Sequence, residues 1–306
     1  MKKSNRKSQN SKLKTLRLFG LAFCFLLFGF YSLTFAQEKG MLDSLPLAGH
    51  KVILTIDDGY SSVYHNVYPL LKRYKMSATL GLIVNSLNPN WSGYENSTGF
   101  LTYAQVKEMI DSCGVEIASH TLSHPWLTRL DSAKVWEEIS RSKVILESIF
   151  QVPVITFIYP YGDMDSRIVK MLRPAGYLLA RAVRSGEVNF WVDPYRLPEF
   201  ELRRETSLET VKSYILRNPV SILLLHRVVA EPKVFTEWSK DDFAELLNWL
   251  HNNGARCISL AELYYDWRQE LLGWMIREQK GWSNLCAPDA VPNPHGDGLL
   301  PRFGSQ

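Results

Sequence analysis

The chain has 306 residues, 46% of them hydrophobic and 22% charged, a length that fits one large α/β domain or two small ones with ample sequence to bury a core, one domain being the working reading. Its formal charge of +4 invites a nucleic-acid partner, but Lys2, Lys3, Arg6, Lys7, Lys12, Lys14 and Arg17 form an acid-free N-terminal block. Without those seven, 28 Lys plus Arg face 31 Asp plus Glu, so the basic balance belongs to targeting and no nucleic acid is expected as a partner.

The basic block leads into an apolar run of 18 residues, 18–35, that ends Leu33-Thr34-Phe35-Ala36. Small residues at 34 and 36 fit a secretory signal cut before Gln37, so residues 1–36 are expected to be removed and the protein exported to the periplasm, the cell envelope or the medium. The other reading is an uncleaved anchor that leaves the domain outside the cytoplasm, because the run is close to the shortest that spans a bilayer. A membrane is a partner only in that second case. Bulky Phe23 before Cys24 argues against lipid attachment, and residues 37–49 read as a linker. Cleavage would leave Cys113, Cys257 and Cys286, an odd number at spacings that fit neither a disulfide framework nor a zinc ribbon. Cys257 sits in an apolar strand-like run, where a buried free thiol is the commoner state.

From His50 onward, β-branched runs alternate with amphipathic ones, the pattern of repeated βα units around a mostly parallel sheet. The strand-like runs are 51–56, 78–84, 115–119, 155–159, 177–183, 220–226 and 256–260. Several are apolar almost throughout, which predicts strands covered on both faces, as in an α/β barrel. Helical spacing follows the first strand at Val63, Val67, Leu70, Leu71 and Tyr74, and the second at Val106, Met109 and Ile110. Asp131 opens a longer helix carrying Val135, Ile139 and Ile145, and Thr206-x-x-Glu209 has the form of a capping box. Phe243, Leu246, Leu247 and Leu250 mark the last clear helix, stopped at Asn253-Gly254. The stretch 85–99 reads as a loop inserted above the barrel. The periodicity decays after about Arg268, so the domain is placed at 50–268 and 269–306 is expected to be a mobile extension.

Chemistry-bearing residues fall where the strands run out. The first strand ends Thr55-Ile56-Asp57-Asp58-Gly59, two adjacent carboxylates at the barrel edge where active sites are built, although Asp-Asp-Gly is also a good turn. The third ends Ser119-His120-Thr121-Leu122-Ser123-His124, with two imidazoles four residues apart; on one helical turn such a pair shares a face and binds one ion. With a carboxylate they form a two-His, one-carboxylate set for a divalent metal, zinc by default, with cobalt or nickel equally suited. The fourth and sixth strands end Ile158-Tyr159-Pro160-Tyr161-Gly162 and Leu223-Leu224-Leu225-His226.

Together these motifs resemble the polysaccharide deacetylase family, carbohydrate esterase family four, over roughly residues 50–268. The resemblance implies a distorted (β/α) barrel of about seven parallel strands. It also implies removal of acetyl groups from a carbohydrate, with an N-acetylglucosamine polysaccharide as the leading substrate class. It assigns Asp57 as base, Asp58, His120 and His124 as metal ligands, and His226 as acid. The backbone N–H of Tyr161 would face the oxyanion and Leu224 the acetyl methyl. One departure stands out: the arginine that the family's third motif usually supplies to brace the base is absent from Ile158-Tyr159-Pro160-Tyr161, and Arg196 in Tyr195-Arg196-Leu197-Pro198 is the expected replacement, with Arg203 and Arg204 next in line. The fourth motif is poorly matched around Phe190-Trp191-Val192-Asp193. Three other readings share the same residues: hydrolysis of linear C–N bonds in small molecules, an O-acetyl esterase, and a silent carbohydrate-binding relative.

Overall fold

The structure, a computed structural model, describes residues 46–91, 93 and 99–285. The segment 1–36, most of the linker, part of the 85–99 loop and the tail from 286 onward lie outside the described residues. The chain divides into two compact units, Met1–Leu260 and Ala261–Gln306.

All seven strand-like runs of the first unit form strands. They are β1 (Lys51–Ile56), β2 (Thr79–Leu82), β3 (Glu116–Ser119), β4 (Thr156–Ile158), β5 (Leu179–Arg181), β7 (Val220–Leu225) and β10 (Arg256–Ile258). Three short strands were not foreseen: β6 (Phe200–Glu201), β8 (Arg227–Val229) and β9 (Glu237–Ser239). The last two pair only with each other. The rest make one parallel sheet in the order β5-β4-β3-β2-β1-β7-β6, with β10 beside the start of β1. One edge of β1 is thus shared: Lys51, Val52 and Ile53 pair with β10, while Thr55 and Ile56 pair with β2. Leu197 spans the gap between the outer strands. Its N–H donates to Ala180 O at 2.9 Å and its carbonyl accepts from Ala182 N–H at 3.0 Å, three residues before β6 begins beside β7. The result is a distorted barrel.

Apart from Lys51, Glu116 and Val220 at their starts, β1, β2, β3, β4, β5 and β7 are buried along their whole length, as continuous apolar runs require when both faces are covered. The covering helices are α1 (Tyr68–Tyr74), α2 (Tyr103–Cys113), α3 (Ser132–Phe150), α4 (Ser166–Leu172), α5 (Leu208–Arg217) and α6 (Lys240–Asn252). Local chemistry sets their ends. Thr102 and Gln105 make a reciprocal capping box on α2, which stops at Gly114 with φ 62°. Asp131 accepts the Lys134 N–H to start α3, and Val135, Ile139, Leu146 and Phe150 form its buried stripe. The start of α5 falls one residue later than expected: Ser207 caps it, and the Thr206 hydroxyl accepts from Arg203 N–H at 3.0 Å instead.

The last helix, α7 (Leu260–Leu285), begins at the end of the first unit and makes up the described part of the second. It runs on through Arg268, where the sequence periodicity lapses. Beyond it Leu272, Trp274 and Ile276 are exposed, so the apolar residues there do not mark a buried stripe. Among the described residues no helix is long and apolar enough to cross a membrane. Cys113 and Cys257 are free thiols, and burial pushes that of Cys257 up to about 12; Cys286 lies outside the described residues.

Candidate metal centre and catalytic cleft

Because neighbouring strands run parallel, their C-terminal ends share one edge of the barrel. Asp57 and Asp58 follow β1 there, His120 follows β3, Tyr161 follows β4 and His226 follows β7. All of them, with Leu224, line one cleft of about 660 Å³. The two carboxylates and the two imidazoles form its floor, none of Asp57, Asp58, His120 and His124 being more than 6% exposed.

The backbone beneath them is unusual. Asp58, Thr121, His124 and Tyr161 all have left-handed conformations, with φ of 72°, 69°, 63° and 58°. For β-branched Thr121 this is a costly geometry that persists only where surrounding bonds fix it. Those bonds are present. The Thr121 N–H donates to Ser119 Oγ at 3.3 Å, and the Thr121 hydroxyl accepts from His124 N–H at 2.9 Å. From α3 behind the loop, Glu138 accepts the N–H groups of Leu122 and Ser123 at 2.8 and 3.0 Å and the Ser123 hydroxyl at 2.6 Å. His120 and His124 therefore meet through a tightly tied loop, not through the helical turn that their four-residue spacing suggested.

The three expected ligands come together in a form that suits a metal ion. The Nε2 atoms of His120 and His124 are 3.1 Å apart and lie 3.4 and 3.5 Å from Asp58 Oδ1. Ligand bonds of about 2.0–2.1 Å around a tetrahedral ion put neighbouring donors about 3.3–3.4 Å apart, so the separations match. His120 Nδ1 donates to the Ile158 carbonyl at 2.9 Å, which leaves Nε2 as the lone-pair atom and holds the ring at its angle. Asp58 Oδ1 is buried and has no hydrogen-bond partner, although it faces both rings. Burial alone would raise the Asp58 carboxyl, but the close approach of His120 and the charges of His226, His120 and His124 outweigh it and lower the group. For His120 burial works downward and is outweighed by Asp58 and Asp57, which raise it. For His124 burial, reinforced by His120, wins and depresses the imidazole to about 3. The floor thus favours an ionised carboxylate and a neutral His124, the states in which both groups ligate.

Asp57 has a different environment. It is bound by Arg181, a fully buried residue at the end of β5 whose Nη2 donates to Asp57 Oδ2. Arg196, the expected brace, does not reach it: its Nε lies 3.2 Å from Asp193 Oδ2 at the surface. Arg203 and Arg204 are engaged by Glu201 and Glu205. The guanidinium missing from the third motif is therefore supplied by Arg181. Sequence reasoning passed over it as part of the apolar run 177–183, although a lone cation inside a doubly covered strand is itself a signal, being too costly to bury without a buried anion. Gly81 of β2 makes room for Asp57: a Cβ there would lie 3.2 Å from Asp57 Oδ1 and 2.9 Å from Ile158 Cδ1.

The walls of the cleft are aromatic and basic. Tyr161 packs edge-on against His124 at 4.5 Å and stacks on Trp126 at 4.1 Å and 2°. Arg129 lies over the Trp126 ring at 4.7 Å. Asp163 ties the two loops by accepting the Thr128 N–H at 2.8 Å and its hydroxyl at 2.9 Å. Gly162, between Tyr161 and Asp163 and at φ 68°, leaves no space for a side chain, since a Cβ would come within 2.6 Å of Val183. Across the cleft Arg227 stacks on Tyr60 at 3.9 Å, and Arg203 on Phe235 at 4.2 Å. Leu224 is buried in β7, in register with Glu201 of β6. His226 lines the cleft, and its Nδ1 has no hydrogen-bond partner. Trp191, where the fourth motif was sought, is 83% exposed and does not line the cleft.

Residues 45–180 match the family model described as polysaccharide deacetylase. The Bacillus subtilis (strain 168) protein YxkH, a polysaccharide deacetylase by name, is 31% identical over 159 residues, covering 52% of this chain and 54% of that one. A Staphylococcus aureus (strain N315) protein named poly-beta-1,6-N-acetyl-D-glucosamine N-deacetylase is 23% identical over 173 residues, covering 53% and 58%. The chain thus spans a little over half the length of these two curated relatives. Among solved structures, the peptidoglycan deacetylase PdaC from Bacillus subtilis superposes with a TM-score of 0.50 at 19% identity, covering 75% of this chain and 96% of that one, a likeness of fold.

Proposed function

The chain belongs to the polysaccharide deacetylase family, and on that premise we propose that it is a metal-dependent hydrolase that removes acetyl groups from an N-acetylglucosamine-containing polysaccharide. The observation that carries the proposal is the Asp58, His120 and His124 donor set at ligand spacing beside a second, non-ligating carboxylate held by a buried arginine. The name of the Staphylococcus aureus relative supports the substrate class.

A divalent ion held by Asp58, His120 and His124, zinc by preference, would supply Lewis acidity toward the acetyl carbonyl and toward water. Asp57 is the base. Arg181 occupies its Oδ2, while Oδ1 carries no hydrogen bond and is the oxygen that takes the proton of the attacking water. His226, arriving on β7, is the acid that protonates the departing nitrogen. The Tyr161 backbone, turned by its positive φ beside His124, offers an N–H toward the developing oxyanion, and Leu224 packs the acetyl methyl. With Arg181 in place of the missing third-motif arginine, the motive for a catalytically silent relative falls away. Exposed Trp126 and Val234 on the rim favour a glycan chain over a small molecule enclosed in a pocket.

Acetate release from N-acetylglucosamine oligomers by the metal-loaded protein is the test. Activity that is lost on chelation and restored by zinc, cobalt or nickel is the expected result, and absence of acetate release under every metal would end the proposal. Export is part of it, supported by the basic head and the 18-residue apolar run, and a mature N-terminus at Gln37 is expected on sequencing the exported protein.

A further inference from the structure

We infer that Glu199 is a positioning residue for Arg181, and through it for Asp57; this rests on the reading of Asp57 as the base. Arg181 is wholly buried, yet only its Nη2 is engaged, on Asp57, and its Nε and Nη1 have no hydrogen-bond partner. A guanidinium spreads its charge over three nitrogens. One carboxylate at one corner leaves much of that charge to be offset elsewhere.

The barrel closure brings a second carboxylate to the same place. Leu197 bridges to Arg181 in parallel register, and side chains alternate along extended backbone, so Glu199, two residues on, returns to the face that Leu197 presents. The Glu199 N–H donates to Arg184 O at 2.9 Å, two residues beyond the Ala182 carbonyl that the bridge register would offer; an even shift keeps the same face. Its side chain is buried, and Oε2 has no hydrogen-bond partner. The groups that act on this carboxylate are Arg181 of β5, Glu201 of β6, Asp57 after β1 and Arg203 after β6, while Tyr214 of α5 feels its charge in turn. Burial raises the Glu199 carboxyl to about 7, with Arg181 opposing that rise. Among the described residues no ion pair within 4.0 Å joins the two side chains, so Glu199 acts on Arg181 through its charge alone, and its neutralisation should release the guanidinium while leaving the packing in place.

The test is Glu199→Gln in the full chain. Exchange of the Arg181 Nε–H with solvent, read by nitrogen-15 NMR and assigned with Arg181→Gln, should rise several-fold. On N-acetylglucosamine oligomers kcat should fall about tenfold at pH 8, with KM and bound metal unchanged, and fall less at pH 6, where Glu199 is already largely neutral. Arg181→Gln combined with Glu199→Gln should be no slower than Arg181→Gln alone. Unchanged Nε–H exchange, or losses that multiply in the double variant, would overturn the assignment. If the parent protein releases no acetate, the deacetylase reading fails and the exchange measurement alone decides for Glu199. Should Glu199→Gln not fold, Glu199→Asp must show accelerated exchange, and parental exchange in that variant counts against the inference.

Discussion

Replacing Arg181 by Gln removes one partner of a buried ion pair and leaves the other in place. Arg181 is 0% and Asp57 3% exposed, so neither charge is screened by water as a surface pair would be. With charge centres about 4 Å apart and an effective dielectric constant of about 20, the attraction is about 4 kcal/mol, within the 3–5 kcal/mol that breaking buried pairs typically costs. Urea unfolding of metal-free protein, followed by tryptophan fluorescence, should show Arg181→Gln less stable by about 3–5 kcal/mol. Asp57→Asn should lose a comparable amount. The double variant should lose at least about 2 kcal/mol less than the two single losses together, because the second substitution no longer strands a charge. A single Arg181→Gln loss below about 0.5 kcal/mol, or strict additivity, would refute the pairing as the reason a cation sits inside β5.

Glu138→Ala deletes the acceptor of three hydrogen bonds that tie down the 121–124 loop. Chelator competition should show metal affinity reduced about 10- to 100-fold, and unchanged affinity would mean that the loop holds its shape unaided. Gly81→Ala places a methyl 3.2 Å from Asp57 Oδ1, so kcat should drop with metal content retained, whereas parental kcat would show that Asp57 can yield. For Glu199 the sign follows from a carboxyl raised in the fold from 4.5 to about 7: its neutral form stabilises the fold below about 4.5, and that contribution is lost as pH climbs through about 7. Glu199→Gln has no such loss. Its Tm relative to the parent should therefore move in the variant's favour between pH 4.5 and 7 and stay level below 4.5; a difference independent of pH would disprove the shift.

Strand positions and the residues gathered at the cleft were legible because they follow from short-range patterns. Continuous apolar runs ended at Asp57, His120 and His226, and parallel strands must bring such ends to one edge. What escaped was whatever depends on the pairing of remote segments. Phe200–Glu201 is two residues long, too short for any periodicity, and becomes a strand only because β7 lies beside it. Arg196 looked suitable because it is a cation near the expected fourth motif, whereas the choice of Arg181 is made by barrel curvature, which places the end of β5 opposite Asp57. The geometry of the His pair was misjudged for another reason. Two left-handed residues within 121–124 close the distance that a helical turn would have closed, and nothing in Thr121 announces that conformation.

The divided edge of β1 has a consequence for how the molecule assembles. The strand that carries both carboxylates takes its partners from distant parts of the chain: its Thr55 hydroxyl donates to a carbonyl 168 positions away on β7, and its first half waits for β10. Contacts of such long sequence separation form slowly, since loop closure must be paid before pairing rewards it. On a growing chain β1 is made first and completed last. A nascent polypeptide that stops short of Val220 therefore carries every proposed metal ligand, but lacks the neighbour that holds Asp57 and Asp58 at the barrel edge. Ligand binding is then a report of nearly full synthesis, and folding-arrested fragments should capture no ion with native affinity.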